Sequence, residues 1–412
     1  MGFQSALSGL NASAKNLDII GNNVANSNTV GFKGSRAVFA DVFASSLSGA
    51  GANNIGIGTK VAQVQQEFTQ GNLTVTNNPL DIAINGRGFY RLDNNGSVAY
   101  SRNGQFHLDN SGYIVNADNL KLTGYPVDAL NNVVSSNPVP LRLSTSDIAP
   151  RATTDIDATV NLDSRSPAIA AAFVPSNAAT YTNSTSSAVY DSLGNTHTLT
   201  TYFVKTAVPG AWTVHGTVDG GATTTVDFGG GAGVPTTLNF NSSGVMTTTM
   251  PIAAVALTIT GGAVTPLTTS FNMTGSTQFG APFAVTALNQ DGYTSGRLTG
   301  FDIAENGVVQ GRYSNGYSNT LGQIVLANFA NPQGLGSMGD NLWQESAASG
   351  QAVIGAPLTG SMGSLQAAAV EDSNVDLTQE LVNMITAQRV YQANAQTIKT
   401  QDQTLQTLVN LR

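Results

Sequence analysis

The chain has no cysteine, little charge and no long apolar run, and each lack closes off a class of function. Without cysteine, disulfide frameworks and thiolate metal sites are excluded. Charged residues make up only 10%, against roughly 25% in an ordinary soluble chain. Serine, threonine, asparagine and glycine must supply the polar surface instead, and such a surface can pack against copies of itself with little like-charge repulsion. A net charge of -8 provides no basic face for phosphate, so no nucleic-acid partner is expected. Apolar runs such as Ile252–Ile259 fall far short of the ~20 residues that span a bilayer, so no membrane insertion is expected. The N-terminus lacks a basic segment followed by an unbroken apolar run, and Ala6 stands where a myristoylation pattern needs Ser or Thr. A role outside the cell would require export without a cleaved signal.

What is present is an amphipathic pattern at both ends. Phe3, Leu7, Leu10, Ala14, Leu17 and Val24 recur in alternating steps of about four and three residues, the coiled-coil period. Leu377, Leu381, Met384, Tyr391, Ala395, Ile398, Leu405 and Val409 do the same. The first helix is predicted to end near Asn26-Ser27-Asn28, with Gly31 just beyond. The second is predicted from about residue 374 to the last residues, roughly 55 Å long, with Ser373 and Asp376 as its N-terminal cap and Glu371-Asp372 as favourable charge.

Magnitudes then decide what these helices need. Ordering the long helix costs roughly 1–2 kcal/mol per residue in backbone entropy, while each buried stripe side chain returns roughly 1.5–3 kcal/mol. One pair of unequal helices is marginal, so the two stripes are expected to form a subunit interface completed by neighbouring copies. An antiparallel pair within one globular domain is the alternative. Gln388 and Asp402 fall on the seam, where they either fix register or face a water-filled lumen.

The middle reads as β structure. Leu80 to Ile84 alternates toward Gly86 and Gly88, and Asn94-Asn95-Gly96 marks a hairpin turn. Near residue 145 the composition turns rich in Thr, Ala and Gly, with turn clusters at Asp219-Gly220-Gly221 and Gly229–Gly233; after 285 the earlier style returns. The expected fold is multidomain α+β. A coiled-coil-like terminal domain takes residues 1–32 with 371–412, and a less regular connector takes 33–70 with 350–370, including the small-residue stretch Ser45–Gly58. An inner, discontinuous β domain takes 71–144 with 285–349, and an outer all-β domain is inserted at 145–284.

No catalytic, cofactor or metal site is expected. Gly334-Leu335-Gly336-Ser337-Met338-Gly339 fits a dinucleotide-type G-x-G-x-x-G, but no helical stripe follows it, so it is a loop. His107, His197 and His215 lie on separate strand-like segments without ligand spacing.

Residues Asn22-Asn23-Val24-Ala25-Asn26-Ser27-Asn28-Thr29-Val30-Gly31-Phe32-Lys33 resemble the N-terminal signature of the bacterial flagellar axial family, which builds rod, hook and junction segments. Asp81 to Phe89, Ser101 to Phe106, Leu122 to Pro126, Phe329 to Leu335 and Asn341-Leu342-Trp343 resemble the same family. Tyr190-Asp191-Ser192-Leu193-Gly194-Asn195-Thr196-His197-Thr198-Leu199 and the insertion from about 145 to 284 resemble its hook branch. The resemblance implies a structural subunit rather than an enzyme. Such a subunit is exported unfolded through the flagellar type III apparatus and self-assembles outside the cell into a flexible, curved tube around the export channel. Its implied partners are further copies of itself, the distal rod, the hook cap and the hook–filament junction proteins. A straight distal rod subunit and a secreted β-rich adhesin are the competing readings.

Overall fold

The computed structural model describes residues 2–42, 56, 58–128, 131–144, 146–221, 226–228 and 234–410, with 408–410 as helix only. The predicted connector Ser45–Gly58, apart from Gly56 and Gly58, and the Gly229–Gly233 cluster lie outside the described residues, as does the side chain of Val409. The chain has one helix at each end, α1 (Gly2–Ala25) and α2 (Leu377–Asn410), with β structure between them. It divides into two compact units, residues 1–144 with 300–311 and 318–412, and residues 145–299 with 312–317.

In the first unit, α1 is followed by a two-stranded antiparallel ribbon, β1 (Ser35–Val42) and β2 (Gly58–Gln66), with a register shift at Val38/Phe39. This differs from the irregular connector read from the sequence. The strand signal is weak because the ribbon is half-exposed on both faces, so hydrophobic alternation is diluted. The ribbon packs along α1.

The main sheet of this unit runs in the order Ser318–Ile324, Lys121–Tyr125, Phe89–Asn94, Ser97–Ser101, Leu342–Gln344, Gly336–Gly339, with antiparallel neighbours throughout. Ile82, Ile84, Tyr90, Leu92, Ile114, Leu122 and Ile324 are fully buried in one cluster, and their neighbours Ala83 and Phe89 are buried as well, so these strands are covered on both faces. The turn at Asn95 (φ 49°) and Gly96 (φ 98°) is left-handed at both positions, the geometry that matches hairpin twist. Beside this core, Phe68, Phe89, Phe329 and Trp343 meet edge-to-face at 5.4–5.8 Å. The G-x-G-x-x-G segment is a short 3-10 turn followed by the strand Gly336–Gly339, and no helix opens there.

The second unit is a β-sandwich. One sheet has the order Val226–Asp227, Ile252–Leu257, Leu267–Asn272, Asp155–Asn161, Ala284–Gln290. The other has the order Asn183–Tyr190, Thr196–Lys205, Ala211–Val218, Thr236–Asn239. Ile156, Val160, Leu199, Phe203, Trp212, Leu257 and Phe271 from the two sheets share one core. Asp155–Asn161 pairs antiparallel with Ala284–Gln290, so this sheet continues past the boundary at 284 read from composition. Pairing between segments so far apart leaves no local trace in the sequence.

Candidate assembly surface

The two terminal helices touch through small residues. Ala6, Ala12 and Ser13 of α1 and Ala387 of α2 are buried, and a Cβ added to Gly9 would meet the Asn394 side chain at 2.9 Å. Gly9 beside Asn394, with Asn23 Nδ2 3.5 Å from Glu380 Oε1, makes the pair antiparallel. Close approach of the backbones leaves the larger apolar residues on the flanks. Leu7 stays 42% exposed, Leu381 45%, Ile385 52% and Leu405 55%, and Phe3, Leu377, Val382, Val390 and Tyr391 are also exposed. Leu10, Ala14, Leu17, Val24, Met384, Ala395 and Ile398 are half-buried. The described heptad residues are therefore covered only in part within one chain, seven of them half-buried and the rest exposed. Ile20 of α1 is buried together with these small residues, so the covered face of the helices mixes small and large side chains.

Below the helices both chain ends are held by one buried carboxylate. Lys33 Nζ lies 2.7 Å from Glu371 Oε1 and 2.7 Å from the Thr69 carbonyl oxygen. Arg102 Nε lies 3.0 Å from Glu371 Oε2, and the same guanidinium donates to the Gly86 and Gly88 carbonyls. The Gly71 amide donates to Glu371 Oε1 at 3.0 Å. None of the three charged side chains is more than 4% exposed. Burial lowers the pKa of Lys33, opposed by the charge of Glu371 and assisted by that of Arg102.

The signature residues build the approach to this junction. The Asn22 carbonyl accepts both the backbone and side-chain amides of Asn26, ending α1 just after the exposed Ala25. Asn23 accepts from the Ser35 amide at 2.9 Å and donates to the Ser35 carbonyl at 2.7 Å, completing the ribbon as a strand neighbour would. Thr29 donates its hydroxyl to Asn26 Oδ1, and the Phe32 amide donates to the Thr29 carbonyl. Gly31 sits at φ +72° with its amide on the Glu371 carbonyl, and a Cβ there would fall 2.6 Å from the Asn103 nitrogen.

Glu371 ends the strand Ala369–Glu371, short of α2, and is an ion-pair partner rather than helix-terminal charge. The cap of α2 is Asp376, whose Oδ1 accepts from Thr378 and Gln379, while Ser373 accepts only from Val375. An acid closing the otherwise apolar run Ala367-Ala368-Ala369-Val370 was the available signal for a buried partner.

In the second unit the hook-branch motif forms a hairpin tip. Asp191 Oδ1 accepts from the Leu193 and Asn195 amides at 2.8 Å each. His197, buried rather than at the surface, lies between Asp219 (Nδ1–Oδ2 2.7 Å) and Asp191 (Nε2–Oδ2 3.3 Å). Burial alone would lower the pKa of His197, but hydrogen bonds and charge from Asp219 and Asp191 outweigh it, and the net direction is upward. Burial likewise opposes ionisation of Asp191, yet hydrogen bonds from Asn195, His197 and Leu193 hold it at about 2. Among the described residues there is no metal-ligating group of three acidic or histidine side chains, and no helix long and apolar enough to cross a membrane.

Comparison with known proteins covers the whole chain. Residues 3–33 match the flagella basal body rod protein model, and residues 83–167 match the flagellar hook protein FlgE/F/G D1 domain. Residues 161–293 match the flagellar basal body protein FlaE D2 domain, and 366–411 the flagellar basal body rod FlgEFG protein C-terminal model. The flagellar hook protein FlgE of Salmonella typhimurium is 46% identical over 418 residues, covering 100% of both chains. That of Escherichia coli is 46% identical over 416 residues with the same coverage, and that of Borreliella burgdorferi 32% identical, covering 99% of this chain and 98% of the relative. The crystal structure of Helicobacter pylori flagellar hook protein FlgE2 shares the fold, with a TM-score of 0.51 at 15% identity, over 71% of this chain and 99% of that one.

Proposed function

Since the chain belongs to the flagellar hook protein family, a structural component of the flagellum outside the cell, we propose that it polymerises through its terminal helices into a bendable tube. The tube passes torque from rod to filament and encloses part of the export channel. The row of large apolar side chains left exposed beside the helix seam carries this reading. Returning a half-exposed Leu or Ile to an apolar setting is worth roughly 1 kcal/mol; nine such positions would repay the ordering of long helices only in contact with neighbours. The heptad residues on both helices are read as the subunit interface. The signature residues from Asn22 to Lys33 are read as the clamp that fixes where the helices leave the β structure.

Further copies of the chain are the main partner. The distal rod and the hook–filament junction proteins would contact the two ends of the tube, the hook cap its growing tip, and the type III apparatus the unfolded chain before assembly. The terminal helical, connector, inner and outer β divisions read from the sequence are retained as functional layers, the outer one extended to residue 299. No enzymatic step is assigned. Electron microscopy of the concentrated purified protein tests the reading: tubes are expected, and discrete particles at every concentration would defeat it. Complementation of a hook-gene deletion, scored by swimming, separates a bendable joint from a straight rod.

A further inference from the structure

A groove of about 500 Å³ runs between α1, α2 and the β1–β2 ribbon. Its apolar walls include Ile19, Ile20, Phe39, Ala387 and Val390, of which Phe39 is 43% and Val390 48% exposed, with Arg36 among its polar residues. On α1 its lining extends from Gly9 to Asn23, a length of roughly 20 Å.

In the same unit, one end of α2 is left uncovered among the described residues. Continuing the antiparallel register from Gly9 and Asn394 brings α1 to its start beside about residue 401. Residues 402–407 are all exposed, and the helix continues to Asn410. This overhang, roughly 13 Å long, is short enough for the groove, and Leu405 is its large apolar residue among those described. Asp402 is the one charged residue from 402 to 407, opposite in sign to Arg36, which lies at the exposed rim 3.3 Å from Glu67, while Glu380 elsewhere in the lining has the same sign as Asp402. The overhang cannot enter the groove of its own chain, because α2 is one continuous helix directed away from it.

Building on the hook-subunit reading, we propose that the α2 overhang of one copy seats in the α1–α2–ribbon groove of the next, with Leu405 on the apolar wall and Asp402 toward Arg36. Groove and overhang are different patches of one chain, so the contact is head-to-tail; with a rotation that does not close into a ring, each added copy presents a fresh overhang or a fresh groove. That is the geometry an axial polymer requires.

The absence of native cysteine makes a direct test simple. The full-length V390C/L405C chain changes two exposed positions; it is polymerised and treated with a short bismaleimide. A ladder of covalent oligomers is expected, whereas either single variant can give dimers at most. Tubes that cross-link no further than dimers would overturn this contact and leave the hook reading standing. No tubes from the unaltered chain would overturn both. As a second arm, Asp402→Arg should raise the critical concentration about threefold to fivefold, and Arg36→Asp should restore it. A double variant that assembles worse than either single one would overturn the charge pairing and the register it defines.

Discussion

Lys33 and Glu371 stand 338 residues apart in sequence and 2.7 Å apart in space, with neither side chain more than 1% exposed. A buried pair of this kind costs desolvation on both sides, and breaking it by removing one partner costs more than forming it returns. Its position, where both chain ends enter the β structure, makes it a clamp on the helices rather than a general source of stability.

The carboxylate serves two cations, so the partners are not equivalent. Glu371→Gln leaves Lys33 and Arg102 together in a dry site and should destabilise the first unit by about 3–5 kcal/mol. Lys33→Met leaves the Arg102 pair intact and should cost less, about 1–3 kcal/mol. Urea unfolding of the two variants, compared with wild type, checks the order; equal losses would argue against a shared carboxylate.

Gly31 is the second point of constraint. An alanine there must hold φ at +72° and place its Cβ 2.6 Å from a backbone nitrogen, so the loop must move. Gly31→Ala should cost more than the roughly 1 kcal/mol of left-handed strain alone, because the clash adds to it. The loss should appear as faster amide exchange at residues 31 and 32, since the Gly31 amide donates to the Glu371 carbonyl and the Phe32 amide to the Thr29 carbonyl.

The His197 latch predicts a pH dependence confined to the second unit. Its folded pKa is raised, so the native state binds the extra proton more tightly than the unfolded chain does. Its contribution is complete below about pH 6.5 and disappears as pH rises through the folded value. Asp191, held at about 2, behaves oppositely: its contribution is present above its unfolded value and fades as pH falls toward 2. Melting wild type and His197→Gln from pH 6 to 9 should show a stability difference that shrinks with rising pH; a growing difference would have the wrong sign.

The sequence made the skeleton legible and left its fastenings hidden. Ile82 and Ile84 show their burial through a short apolar run, in which Ala83 is buried as well, and Asn95-Gly96 show their turn through the need for left-handed φ. The helix stripes were readable as a period in large side chains. Gly9, which lies directly against Asn394, gives no hydropathy signal because its contribution is closeness. Glu371 and His197 looked like surface charge and an ordinary strand histidine, because the groups that bury them, Lys33 with Arg102 and Asp191 with Asp219, become neighbours only in the fold. The pairing of Asp155–Asn161 with Ala284–Gln290 was hidden likewise. The clamp residues from Asn22 to Lys33 were located by family resemblance, not by periodicity.

Leu381 and Ile385 separate folding from assembly. Both are about half exposed and lie outside the α1–α2 seam, so replacing them with glutamate should leave the unfolding of the monomer within about 0.5 kcal/mol of wild type. In a tube the same carboxylates would enter an apolar, water-poor contact, where an unpaired charge is several times more costly than the apolar burial it replaces. Assembly should therefore fail while circular dichroism, melting temperature and monomer mass remain unchanged. Ala387→Leu is the converse case, since it sits in the seam and is buried; it should separate the two helices and lower monomer stability by about 1–3 kcal/mol. Sedimentation at rising concentration distinguishes them. L381E/I385E protein that pellets like wild type would mean that these faces meet solvent, not a neighbouring subunit.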